Sequence, residues 1–74
     1  MRSADKLAMM ANQIARNLAV QGDEAAVAGT ADHIRRFWDP RMRAAIQAYV
    51  TNGGSLDPIA HAAVLSLAAS PPPA

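Results

Sequence analysis

The sequence predicts an all-α fold, a small bundle of about four short helices with a disordered proline-rich C-terminal tail. Eighteen of the 74 residues are alanine, which has the highest intrinsic helix propensity. Large apolar residues recur at three- and four-residue spacing, as on one face of a helix, and no stretch alternates with the two-residue period of a strand. Glycines and two Asp-Pro pairs divide the chain into four segments of helical length. We expect one helical domain over residues 1–69 and a tail over residues 70–74.

The first two helices are delimited by capping signals. Ser3 is the expected N-cap of the first, and Gly22 is the glycine expected just past its end. Its predicted apolar stripe consists of Leu7, Met10, Ile14 and Leu18. Acidic residues at 23 and 24 suit the start of the second helix, since its dipole favours negative charge there. Its predicted stripe consists of Val27, Ala31, Ile34 and Trp38, with Phe37 beside it.

A glycine inside the second segment leaves two alternatives open. Gly29 costs about 1 kcal/mol relative to alanine in a helix interior. Either another backbone packs tightly against this position, or the regular helix begins only at Thr30, which would then be its N-cap.

The boundary between the second and third helices is the sharpest local signal. Proline disfavours helical geometry at the residue before it, so the second helix should end at Trp38 or Asp39. The same pair begins the third helix, with Asp39 as N-cap and Pro40 at the first helical position. The third helix should bury Met42, Ile46 and Tyr49 or Val50.

The fourth helix is predicted from a second Asp-Pro pair. Gly53 and Gly54 end the third helix, and Asp57-Pro58 repeats the combination of cap and proline. Ile59, Ala63 and Leu67 form the expected apolar stripe, flanked by Ala60 and Val64. Three successive prolines from position 71 then end helical structure.

Composition excludes several classes of function. There is no cysteine, so the chain has neither a disulfide framework nor the ligands for its own iron–sulfur cluster. The net charge of +1 is too small for a protein held mainly by phosphates. No apolar run reaches the roughly 18 residues of a membrane span, and the first residues lack the apolar core of a signal peptide. We therefore expect a cytoplasmic protein without a membrane partner.

Catalytic and metal-binding patterns are also lacking. His33 and His61 fall on different predicted helices without ligand-spaced partners, so we interpret them as surface or satisfied histidines. Gly53-Gly54 follows a helix rather than a strand, which does not fit a phosphate-binding loop. Almost half of the apolar residues are alanine, so the core should be marginal and would gain from a partner surface.

The most informative segment joins the second and third helices and combines basic and aromatic residues. Tryptophan, arginine and methionine are enriched at protein interfaces, and arginine pairs well with carboxylates. One hypothesis makes Trp38 a core anchor with solvated arginines outside, and another makes the segment a docking surface; both can hold together. A nucleic-acid-binding helix–turn–helix is a weaker alternative, because only Gln47 on the third helix could read bases beyond the arginines. The candidate partner-interface residues are Arg35, Arg36, Phe37, Asp39, Pro40, Arg41, Met42 and Arg43.

The same segment resembles the central signature of a known family. Residues 31–43 read Ala-Asp-His-Ile-Arg-Arg-Phe-Trp-Asp-Pro-Arg-Met-Arg, and residues 10–14 read Met-Ala-Asn-Gln-Ile. Together with Glu24–Gly29 and the Gly-Gly and Leu-Asp-Pro turn before the fourth helix, they resemble the delta subunit of soluble, NAD-dependent, molybdenum-containing formate dehydrogenases. The resemblance covers about residues 4 to 68.

The resemblance implies an accessory role without chemistry of its own. In that family the alpha subunit carries bis-molybdopterin guanine dinucleotide and iron–sulfur clusters, and the beta and gamma subunits carry FMN, further clusters and NAD reduction. The delta subunit holds no cofactor, belongs to the assembled complex, and is thought to support its stability or the maturation of the molybdenum subunit. The expected partner is therefore the alpha subunit, with beta and gamma in the same complex. The alternative is a transient maturation factor.

Overall fold

Four α-helices account for nearly all of the described chain, as the sequence predicts. The computed structural model describes residues 3–69, with side chains described for residues 4–67. The helices are α1 (Ser3–Leu18), α2 (Asp23–Phe37), α3 (Pro40–Thr51) and α4 (Pro58–Ala69). A short 3-10 turn over Ala19–Gln21 follows α1, and no strand occurs within residues 3–69. The predicted tail lies outside the described residues.

Both α1 and α4 pack against each of the other three helices. The core cluster combines a few large side chains with alanines at the closest approaches. Its members are Leu7, Ala8, Ala11, Ala15, Ile34, Trp38, Ile46, Ala60 and Val64. Buried alanines let helix backbones approach closely, which explains how a chain with few aromatic residues forms a continuous core.

The buried face of α1 differs from the predicted stripe. Ala11 and Ala15 are almost fully buried, whereas Met10 and Ile14 are only partly buried and pack at the margin of the core. The predicted stripe was drawn through the large residues, but α1 contacts the other helices most closely through its alanines. The shift is about one position round the helix, because the alanines permit the closest packing.

The helix α2 begins at Asp23 and runs through Gly29, and neither of the two alternatives left by the sequence is correct. Thr30 is completely buried in the helix interior and is not an N-cap. A Cβ atom on Gly29 would lie 3.0 Å from Leu18 Cδ1, so a side chain, not another backbone, occupies the space beside this glycine. The helix ends at Phe37, one residue earlier than predicted, with Trp38 as its C-cap.

The turns use glycine where the backbone requires it. Gly22 has φ +99° between the 3-10 turn and α2, and Gly53 has φ +90° after α3, a region that favours glycine. Gly54 is needed for a different reason, because a Cβ there would lie 2.5 Å from the ring of Tyr49. That ring packs across the turn, and the Tyr49 hydroxyl donates a hydrogen bond to the Ser55 carbonyl at 3.2 Å.

The start of α4 is held by α1. Asp57 Oδ2 accepts a hydrogen bond from Arg16 Nε at 3.2 Å, and the Asp57 amide donates to Asn12 Oδ1 at 2.9 Å. Within the described residues, the Asp57 carboxylate therefore bonds to α1 and not to the first turn of α4, where the sequence places it as a cap. The pair is partly exposed, so its main effect is to fix where α4 begins against α1.

Candidate functional site

The junction of α2 and α3, residues 32–43, is the candidate site, and we call it the corner. Asp39 has extended geometry (φ −76°, ψ 168°) and its Oδ1 accepts a hydrogen bond from the Met42 amide at 2.9 Å. Pro40 occupies the first position of α3. The helix α3 can therefore begin with only two residues between it and α2, because the cap satisfies one free amide and proline needs no acceptor there.

Trp38 fixes the corner to the bundle. Its side chain is 4% exposed and belongs to the core cluster, whereas Phe37 directly before it is 72% exposed. Because successive residues on a helix are turned by about 100°, these neighbouring aromatic side chains face different environments. The backbone then becomes extended at Trp38 (φ −89°, ψ 139°). The corner thus has a buried aromatic anchor and an exposed aromatic side chain.

Arg43 has an internal partner. Its Nη1 donates hydrogen bonds to the carbonyl oxygens of Arg35, at 3.3 Å, and of Trp38. These carbonyls belong to the C-terminal end of α2, where the helix dipole favours positive charge. The sequence predicts Arg43 at the interface because arginine is enriched there and pairs with carboxylates, but a cation in the first turn of α3 is opposed by the helix dipole. The structure shows that the end of α2 compensates that charge within the chain.

Met42 also faces inwards. It is partly buried and packs against the core cluster, as expected for the apolar face of α3. Of the eight predicted interface residues, Met42 and Arg43 therefore contribute mainly to the corner's own structure. Asp39 is exposed, but its Oδ1 serves as the cap of α3. The exposed residues that remain are Arg35, Arg36, Phe37, Pro40 and Arg41.

These exposed residues do not all share one face. Successive residues on a helix are turned by about 100°, so Arg35 lies about 200° round α2 from Phe37. His33, at the i−4 position, lies about 40° from Phe37 and therefore on the same side of the helix, whereas Arg36, at i−1, lies about 100° from Phe37. The rings of His33 and Phe37 have centroids 4.8 Å apart at an interplanar angle of 43°.

The charges of the corner are mainly positive. Arg36 Nε lies 3.2 Å from Asp32 Oδ2, and both side chains are more than half exposed. Neither Arg35 nor Arg41 has a carboxylate within 4 Å in the part of the chain that the structure describes. Such an exposed i,i+4 pair contributes only about 0.3–0.5 kcal/mol, so Arg36 can exchange Asp32 for another carboxylate at little cost.

Asp32 and His33 belong to this surface although the sequence analysis did not select them. The spacing contains the signal, because residues four apart on a helix are neighbours, and both Asp32–Arg36 and His33–Phe37 have that separation. The sequence predicts His33 only as a surface or satisfied histidine, with no metal-ligand partner. Its contact with Phe37 gives it a structural role in orienting the exposed ring.

An open groove of about 330 Å³ lies at the other end of α2. It is lined by Ala15, Arg16, Ala19, Asp23, Asp57, Pro58 and Ile59. The start and end of α2 are about 21 Å apart at 1.5 Å per residue, so the groove and the corner are separate surfaces. Its Arg16–Asp57 pair is already satisfied internally.

No arrangement suited to metal binding or membrane insertion occurs in the described chain. Within residues 3–69, no group of three or more His, Asp or Glu side chains is placed to hold a metal ion. None of the helices described there has the length and apolar character needed to cross a bilayer. The corner presents an exposed aromatic ring and guanidinium groups, which can pair with carboxylates.

The comparisons with known proteins give one match. The family model described as the NADH-dependent formate dehydrogenase delta subunit FdsD matches residues 6–64, which is most of the chain and includes the whole corner. No curated protein and no solved structure matches the chain.

Proposed function

The chain belongs to the family of delta subunits of NADH-dependent formate dehydrogenase, and on that premise we propose that it is a non-catalytic subunit docked on the molybdenum-bearing alpha subunit. A delta subunit has partner subunits by definition. The proposal assigns the redox cofactors to those partners: bis-molybdopterin guanine dinucleotide, iron–sulfur clusters and FMN on the alpha, beta and gamma subunits. The absence of cysteine from the sequence supports it, since iron–sulfur clusters are held by cysteine thiolates.

The docking role is inferred from the residues that the corner exposes. Phe37 is a large aromatic residue that is 72% exposed, and Arg36 and Arg41 flank it in the chain. Phenylalanine and arginine are both enriched at protein interfaces. Trp38 and the Asp39 cap hold the corner rigidly, so little conformational entropy would be lost when it binds.

The role proposed for the bound chain is to stabilise the complex or assist its assembly in the cytoplasm. A surface that binds only the folded alpha subunit stabilises it by mass action. A near-neutral chain without a basic face on α3 gives no support for a nucleic-acid partner. The proposal includes neither a nucleic acid nor a membrane.

The test is purification of the affinity-tagged chain from its own cells, with subunit quantification by mass spectrometry and a molybdenum assay. The proposal predicts a molybdenum-loaded formate dehydrogenase with one delta chain per alpha chain. Recovery of molybdenum-free alpha chain alone would contradict a permanent subunit and identify a transient maturation factor. Recovery of no dehydrogenase subunit would contradict both roles.

A further inference from the structure

A stripe on α2 continues past the region that the bundle covers. Ala26, Thr30, His33 and Phe37 follow one another at spacings of four, three and four residues, so they lie on one face of the helix. Along this stripe Ala26 and Thr30 are completely buried, His33 is partly buried and Phe37 is 72% exposed. The helix face that points into the bundle at its start therefore emerges at its end, where the described part of the chain does not cover it.

The residue at the uncovered end of this stripe packs against its neighbour one turn earlier. The His33 ring lies against Phe37, with a centroid separation of 4.8 Å that is within the range of interacting aromatic pairs. Phe37 is also the last residue of α2, and the following residue is anchored in the core. Its backbone is thus fixed and its ring is supported on one side, which reduces the entropy lost when a partner immobilises it.

The charged residues that precede and follow Phe37 in the chain indicate the chemistry of a surface that could cover it. Arg36 has only an exposed pair with Asp32, and Arg41 has no carboxylate within 4 Å among the described residues. The Asp39 carboxylate is occupied as the cap of α3. A complementary surface therefore places an apolar recess opposite the ring and carboxylates opposite the two guanidinium groups.

We propose that Phe37 inserts into an apolar recess on the molybdenum-bearing subunit, and that Asp or Glu side chains at the margin of this recess pair with Arg36 and Arg41. This inference rests on the proposed function and names the residues through which the chain would contact the molybdenum-bearing subunit. Phe37 is the anchor of the interface. His33 is a positioning residue that holds the ring, and Arg35, on the other side of α2, lies outside the contact.

The test is a competition between two delta chains for the same complex. Wild-type and Phe37→Ala chains are co-expressed with the other subunits, and the intact masses in the purified complex give their ratio. Dividing this ratio by the ratio in the total soluble extract removes any loss through unfolding or degradation. Truncation of an interface hot spot lowers affinity by about thirtyfold or more, so the variant should be nearly absent from the complex.

Matched variants identify the source of the loss. Val20 is 89% exposed on the 3-10 turn, so Val20→Ala removes exposed apolar surface elsewhere and should incorporate as the wild type does. Phe37→Leu keeps an apolar side chain and should recover most of the incorporation. Arg36→Gln with Arg41→Gln should reduce incorporation about fivefold, as expected for two exposed ion pairs. Lys6→Gln, which removes an exposed cation on α1, should have no effect.

Each alternative result overturns a defined part of the inference. Equal incorporation of Phe37→Ala and wild-type chains would overturn the anchor while leaving the proposed subunit role intact. Full incorporation of the double arginine variant would overturn the carboxylate margin. Absence of the wild-type chain itself from the complex would instead contradict the proposed function. Loss of the association on nuclease treatment would identify a nucleic-acid partner and contradict the inference.

Discussion

The Thr30 side chain is buried, and an apolar side chain of the same shape would fit in its place. Thr30 is 0% exposed, and its Oγ1 has no hydrogen-bond partner among the described residues. A buried hydroxyl without a partner costs about 1–3 kcal/mol. We therefore expect Thr30→Val to raise the free energy of unfolding by about 1 kcal/mol, measured by urea denaturation.

Thr30→Ser is the matched control for that prediction, because it keeps the hydroxyl and removes only the methyl group. It should destabilise the chain. A lower denaturation midpoint for Thr30→Val than for the wild type would show that Oγ1 is satisfied in solution, contrary to the structure.

The Asp39 cap makes a second prediction. Its Oδ1 accepts the Met42 amide, and loss of such a cap lowers stability by about 1 kcal/mol. Asp39→Ala should therefore lower the melting temperature by about 4–8 °C for a domain of this size. Asp39→Asn, which can still cap, should restore most of this loss. Equal melting temperatures for Asp39→Ala and the wild type would contradict the capping role.

The two Asp-Pro pairs show what a local pattern can and cannot predict. Both mark helix starts, because proline and its preceding residue restrict the backbone locally. The pattern also gives the role of the Asp39 carboxylate. It does not give that of Asp57, whose carboxylate bonds to Arg16, 41 residues earlier in the chain. That partner depends on how α1 packs against α4, which no local pattern contains.

At the scale of elements, the corner separates two arginines that look equivalent in sequence. Arg43 donates to the carbonyls that end α2, whereas Arg41 is exposed without an ion pair in the described chain.

The order of helices could be predicted from capping residues, but the burial within α1 could not. The periodicity predicts burial of Met10 and Ile14, whereas close packing of the helices buries Ala11 and Ala15 most deeply.

The different contacts of Arg41 and Arg43 predict that substituting them has different effects on stability. Arg43→Met removes charged hydrogen bonds that join α3 to α2 and should lower the free energy of unfolding by about 1 kcal/mol. Arg41→Met should leave stability within about 0.5 kcal/mol, as for other surface positions. Thermal unfolding monitored by circular dichroism measures both. The reverse order of melting temperatures would contradict the internal role of Arg43.

At the scale of the whole molecule, the bundle has a small core and one aromatic residue left uncovered beside it. The core reaches Trp38 at one end, and the adjoining stripe on α2 emerges at Phe37. The sequence indicated a partner surface at this junction from its arginines and aromatics. It did not distinguish the residues that stabilise the corner from those that are exposed, because this depends on which sides of α2 and α3 pack against the rest of the bundle.

The most direct test of the account is photo-cross-linking in the assembled enzyme. The crosslinker p-benzoylphenylalanine is incorporated in place of Phe37 in one preparation and in place of Val20 in another, and the linked subunit is identified by mass spectrometry after irradiation. We expect a crosslink from position 37 to the molybdenum-bearing subunit and none to that subunit from position 20. A crosslink to it from position 20 with none from position 37 would show that the opposite end of α2 docks and would overturn the proposed contact of Phe37.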